Sequence, residues 1–167
     1  MSEDSDEPWR AFIEIPKGSR NKYELNQETG HIELDRRLFA AVSYPVEYGF
    51  ITETLTEEGE ELDAIVAVSE PTFPGCVVPI DVIGMLEMYD EDEPNHKILG
   101  VPLSDPAWSS LEEIDQLPGD LADEVKHFFE IYTDLEGKEW RIEGWAPKER
   151  AVAECDSARE RFRAQEK

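Results

Sequence analysis

The stretch TEEGEELDAIVAVS, residues 56–69, sets an acidic turn directly against an uninterrupted apolar run. From Leu62 to Ser69 the chain is too short for a typical helix, and it follows a glycine turn. It therefore predicts a strand buried on both faces. The turn before it carries five carboxylates between Glu57 and Asp63, with no Lys or Arg among them. Such crowding is repulsive unless water or a cation relieves it. A solvated turn and a cation site both remain open at this point.

Working outward, the same strand logic extends over residues 10–103. WRAFIEIP alternates apolar and polar positions and stops at Pro16. KYELN and HIELD form two short strands around the turn QETG. YPVEYGFITETL is irregular chain leading into another strand, and TFPGCVVPIDVIGMLEMYD reads as further strands with a Pro-Gly turn between them. HKILGVPL adds one more. Short strands at this spacing are the pattern of a small barrel.

The period then changes. In DLADEVKHFFEIYTDLEG, residues Leu121, Val125, Phe128, Phe129 and Tyr132 recur at helical spacing, with Asp120 as N-cap and Gly137 beyond the end. PKERAVAECDSARERF predicts a second helix with Val152, Cys155 and Phe162 on one face. EWRIEGW between them is a short strand. The fold class is α+β, mainly β: a barrel with C-terminal helices outside it. Residues 1–8 read as a disordered acidic tail and 9–167 as a single domain.

Composition narrows the function classes. Sixteen basic against 40 acidic residues give a net charge of −24. That field repels phosphate backbones, so no nucleic-acid partner is expected. An anionic substrate would need local cations. Two cysteines, Cys76 and Cys155, lack zinc-ligand spacing and read as free thiols of a reducing compartment. No signal peptide or membrane span is visible, which points to a cytoplasmic protein.

Scarce cations make their placement informative. Lys17, Arg20 and Lys22 lie in KGSRNKYE, Arg36 and Arg37 in LDRRL, and Lys97 follows a second acidic group, YDEDEPNH. Glu58, Glu60 and Asp63 could supply oxygen ligands to a hard cation such as Mg²⁺, which takes one or two carboxylates plus phosphate oxygens. Carboxylates beside Lys and Arg suit phosphoryl transfer. Surface ion pairing would produce the same spacing, so the residues alone do not decide.

The ordered run IEIPKGSRNKYELNQETGHIELDR, YPVEYGFI, GEELDAIV, FPGCVV, KILGVP and HFFEIYTDLEGK closely resembles the soluble family I inorganic pyrophosphatases, from about Phe12 to Phe162. The resemblance implies a five-stranded OB-like closed barrel with flanking helices. It also implies Mg²⁺, with Mn²⁺ or Zn²⁺ as possible substitutes, a homohexamer, and hydrolysis of pyrophosphate to two orthophosphates. By position, Lys22, Arg36, Tyr48, Lys97 and Tyr132 match the phosphate-holding groups. Glu58, Asp63, Asp90, Asn95, Glu14 and Glu24 match metal-site positions, and Glu60 with Asp63 the catalytic ones.

Several positions depart from that pattern. The family's D-G-D-P-x-D turn is here Glu58-Gly59-Glu60-Glu61-Leu62-Asp63; Asn95 stands for a ligating Asp, and Thr133 for a phosphate-binding Lys. The alternative expectation is a degenerate paralogue that binds metal, phosphate or a related phosphoanhydride with little turnover.

Overall fold

The computed structural model describes residues 7–165. Positions 1–6 of the expected acidic tail lie outside them. Among the described residues the order is β1 (Trp9–Ile15), β2 (Asn21–Leu25), β3 (Ile32–Arg37), β4 (Glu47–Ile51), β5 (Asp63–Val66), β6 (Val77–Asp90), β7 (Glu93–Pro94), β8 (Lys97–Pro102), α1 (Leu121–Glu136), β9 (Trp140–Pro147) and α2 (Lys148–Gln165).

Five strands close into a ring. The order β1-β4-β5-β8-β6 returns to its start because β6 also pairs with β1. All pairings in the ring are antiparallel except β5 with β8, which run parallel with Ala64 opposite Ile98. β2 and β3 form a separate hairpin, and β9 extends β6 beyond the barrel. The mainly β architecture with two long helices is thus the one expected.

Three local expectations are corrected. Ladder pairing in β5 ends at Val66, although burial continues through Val68. The stretch expected to hold several strands around a Pro-Gly turn is one strand, Val77–Asp90, and the turn precedes it. Its length lets the first half pair with β1 and the second with β9, while β8 runs along its middle. On α2 the fully buried face is Ala151, Cys155 and Ala158; of the residues expected beside Cys155, Val152 packs half-buried against the same cluster and Phe162 is half-buried. Small side chains at this spacing let the helix lie close against the sheet.

The core divides by helix. Cys155 and the two alanines of α2 join the cluster holding Ala11, Ile51, Val78 and Met85. Val125, Phe128 and Phe129 of α1 join Ile65, Leu86 and Leu99. α1 ends as expected at Gly137, whose φ of 70° places it in the left-handed region favoured by glycine. Asp120 precedes α1, although its side chain makes no capping bond.

Two further details fix the loops around the site. Glu47 is fully buried and accepts bonds from the backbone N–H groups of Lys17 and Thr72 and from the Thr72 hydroxyl, tying both loops to β4. Trp108 donates Nε1 to Ser69 Oγ at 2.9 Å, a packing role.

Candidate active site

The parallel pairing of β5 with β8 places Asp63 and Lys97, the first residues of the two strands, at one barrel end. Lys97 is 3% exposed, and its Nζ donates to Asp63 Oδ2 and to Asn95 Oδ1, each at 2.6 Å. Tyr48 donates its hydroxyl to the same Asp63 oxygen at 3.1 Å. Burial, followed by the charge of Asp63, holds the Tyr48 phenol well above its ordinary range, so it remains a proton donor at neutral pH.

The acidic turn closes on itself. Thr56 N–H donates to Glu60 O at 2.6 Å and Gly59 N–H to Thr56 O at 3.0 Å. Gly59 has φ of 88°, a conformation glycine adopts without penalty. Where the family has a stiffening proline, Glu61 instead accepts a bond from Gln27. From α2, Arg161 reaches Leu55 O at 3.3 Å and Glu57 at 3.5 Å. Glu58 and Glu60 are exposed.

Both acidic turns line one cleft of about 360 Å³, which brings Glu58, Glu60, Asp63, Asp90 and Asn95 together. Asp90 Oδ1 is buried without a hydrogen-bond partner, while its Oδ2 lies 3.7 Å from Lys138. Asp92 turns to Arg141 at 3.1 Å; Glu93 is the neighbour that lines the cleft. His96 is buried and its Nδ1 accepts the Met88 N–H at 3.1 Å, a structural use.

A second cluster adjoins the first through Tyr48, whose phenol is influenced by Asp63, Tyr132 and Glu14 together. The β2–β3 register sets Lys22 opposite Arg36. Lys22 Nζ is 3.3 Å from Asp35 and 5.8 Å from the centre of the Tyr132 ring. Burial works against the Lys22 ammonium, but Tyr132 and Asp35 outweigh it and raise its pKa. Arg36 donates Nη2 to Glu136. Thr133 is buried and bonds to the Glu130 carbonyl at 3.0 Å, so it contributes no cation.

Glu14 and Glu24 complete the carboxylates. Burial pushes the Glu14 carboxyl up to about 7, with Asp63, Glu24 and Glu61 adding to the rise and a 2.8 Å bond from Leu25 N–H opposing it. The folded state therefore binds this proton more tightly than the unfolded state. Stability falls as pH rises from about 4.5 to about 7 and stays lower above that. With chelator present, Glu14→Gln is expected to melt above the wild type at pH 8, by an amount of order 1–3 kcal/mol. The gap should close below pH 4.5 in thermal denaturation; a gap independent of pH would remove ionisation of Glu14 as its cause.

The donor chemistry fits a hard divalent cation. The groups are oxygens, Asp90 offers a buried oxygen lacking a partner, and the repulsion felt by Glu14 is what a cation would relieve. Among the described residues no three carboxylates, histidines or cysteines converge as a ready-made cage. Mg²⁺ does not require one, since water and phosphate oxygens complete its shell.

Asp35, Gln27, Arg161 and Glu136 also meet these groups, and no motif in the sequence singles them out. Glu136 had a signal, because it stands four residues after Tyr132 and so shares its helix face. Arg161 had none, since it reaches the turn only through tertiary packing.

The family model described as inorganic pyrophosphatase matches residues 11–163. A Streptomyces coelicolor inorganic pyrophosphatase is 48% identical over 154 residues, covering 92% of this chain and 94% of that one. One from Methanosarcina acetivorans is 46% identical over 151 residues, 90% of each. The crystal structure of the Thermus thermophilus inorganic pyrophosphatase superposes with a TM-score of 0.89 at 37% identity, covering 97% of this chain and 95% of that one.

Proposed function

Because this chain belongs to the inorganic pyrophosphatase family, we infer that it hydrolyses pyrophosphate to two orthophosphates at the cleft between its two acidic turns. The observation that carries this assignment is the buried Lys97, held by Asp63 beside Tyr48, with Lys22, Arg36 and Tyr132 adjoining. Lys22 beside Tyr132 and Lys97 beside Tyr48 supply local positive charge, which a strongly acidic protein needs in order to accept an anion.

In the proposed reaction, Lys22, Arg36 and Tyr132 hold one phosphoryl group, and Lys97 with Tyr48 the other. A water oxygen forms a bond to phosphorus while the bridging P–O bond breaks, and the Glu60 carboxylate takes the water's proton. Mg²⁺, or Mn²⁺ or Zn²⁺ in its place, would be held by Glu58, Asp63 and Asp90, with Asn95, Glu14 and Glu24 around them; when bound it acidifies water and neutralises phosphate charge. Asp63 also fixes the orientation of Lys97 and Tyr48.

The same proposal treats 9–167 as one domain and includes a homohexamer in the cytoplasm. Among the described residues no helix is long and apolar enough to cross a membrane. No observation favours the low-turnover alternative.

The test is phosphate release from magnesium pyrophosphate by the purified protein, with Glu60→Ala beside it. The variant is expected to lose about 100-fold or more in kcat. Wild-type release no greater than the variant's across Mg²⁺, Mn²⁺ and Zn²⁺ would overturn the assignment.

A further inference from the structure

Each cation assigned to phosphate has an internal carboxylate partner: Lys22 with Asp35, Lys97 with Asp63, and Arg36 with Glu136. The third pair differs in construction. Its carboxylate comes from α1, 100 positions along the chain, and projects one helical turn beyond Tyr132. The Glu136 side chain is 17% exposed, whereas that of Arg36 is 48% exposed. The carboxylate is therefore the enclosed partner, and the guanidinium is the one with room to move.

We propose that Glu136 is a positioning residue that competes with phosphate for the Arg36 guanidinium, weakening the hold on product so that orthophosphate leaves quickly. The proposal rests on the pyrophosphatase assignment above. A half-exposed ion pair adds little to folding stability. The same modest interaction acts directly on ligand affinity, because phosphate must displace or share the carboxylate to reach Arg36. Arg has a fork of five donors and can exchange one oxyanion for another without losing its charge. Tyr132 adjoins the same carboxylate: burial raises its phenol, Lys22 opposes the rise and Glu136 adds to it. Pairing of Arg36 with phosphate would thus change the neighbourhood of two substrate-holding groups together.

The experiment compares wild type with E136Q and E136D in the presence of Mg²⁺. Calorimetric titration with inorganic phosphate is expected to show about three- to fivefold tighter binding in E136Q. KM for pyrophosphate should fall in parallel, inhibition by added phosphate should strengthen, and kcat should not rise. E136D, which keeps the charge, should move back toward wild type. Unchanged or weaker phosphate binding in E136Q would overturn the proposal, since a residue that only braces Arg36 gives that result. Should E136Q fail to fold, wild-type protein with ¹⁵N-labelled arginine provides the second measurement: the Arg36 Nε signal must shift on saturation with phosphate, and a static signal overturns the proposal. Wild-type protein without pyrophosphate turnover would remove the underlying assignment. Turnover with phosphate affinity unaltered by E136Q would remove this inference alone.

Discussion

Asp63→Ala is expected to lower kcat/KM by about 10³-fold and to destabilise the protein by about 3 kcal/mol. Both effects come from one carboxylate serving two donors. Asp63 accepts from Lys97 at 2.6 Å and from Tyr48 at 3.1 Å. Without it, a nearly fully buried ammonium keeps, among the described residues, Asn95 and the Tyr48 ring, 5.7 Å from its centre. An uncompensated buried charge is costly, and the lysine would turn toward whatever water or carboxylate it could reach. Misplacement by about 1 Å near reacting atoms is worth roughly 100-fold by itself. Phosphate release gives the rate and urea unfolding the stability. Asp63→Asn keeps the shape and isolates the charge. A kcat/KM within tenfold of wild type in the alanine variant would show that Lys97 does not need this anchor.

Gly49→Ala is expected to prevent cooperative folding, with a loss exceeding about 4 kcal/mol. The reason is space rather than backbone freedom. A methyl group at Gly49 would sit 1.8 Å from the Phe12 carbonyl oxygen, 2.8 Å from its carbon and 3.0 Å from Ile13 Cα. All three are backbone atoms of the neighbouring strand, so no rotamer change relieves the overlap. Gly49 faces Ile13 at the place where the β1–β4 ladder shifts register, and closure of the barrel leaves neither strand free to retreat. Circular dichroism with a thermal melt decides: a soluble variant with wild-type Tm would mean that the ladder yields more easily than a closed sheet should.

The fold was largely legible because its strong signals are local. The apolar run at Leu62–Ser69 marked a buried strand, and the recurrence of Val125, Phe128, Phe129 and Tyr132 marked α1. What escaped was not local. Burial through Val68 looks like strand in sequence, but β5 ends at Val66, with one further bond from Ala67 N–H to the Gly100 carbonyl. The Pro74-Gly75 turn read as a break between strands but precedes one continuous strand, and the alanines that seat α2 carry too little hydrophobicity to define its face.

The site divides in the same way. Acidic turns and scattered cations were visible, yet composition left surface pairing open, and only the ordered resemblance singled out Lys22, Arg36, Tyr48, Lys97 and Tyr132. That Glu136 faces Arg36, or that Arg161 steadies the turn, depends on how distant segments pack. Spacing holds no record of such contacts.

One pairing in the barrel has a consequence for how this chemistry can vary. Since β5 and β8 run the same way, the segments that enter them arrive as neighbours at a shared rim, whatever their length or composition. Either segment can then be lengthened, shortened or re-lettered without moving a barrel strand. Glu58 and Glu60 come from one side of that rim and Asn95 from the other, and all three line one cleft: the barrel acts as a fixed socket, and the rim as an interchangeable fitting.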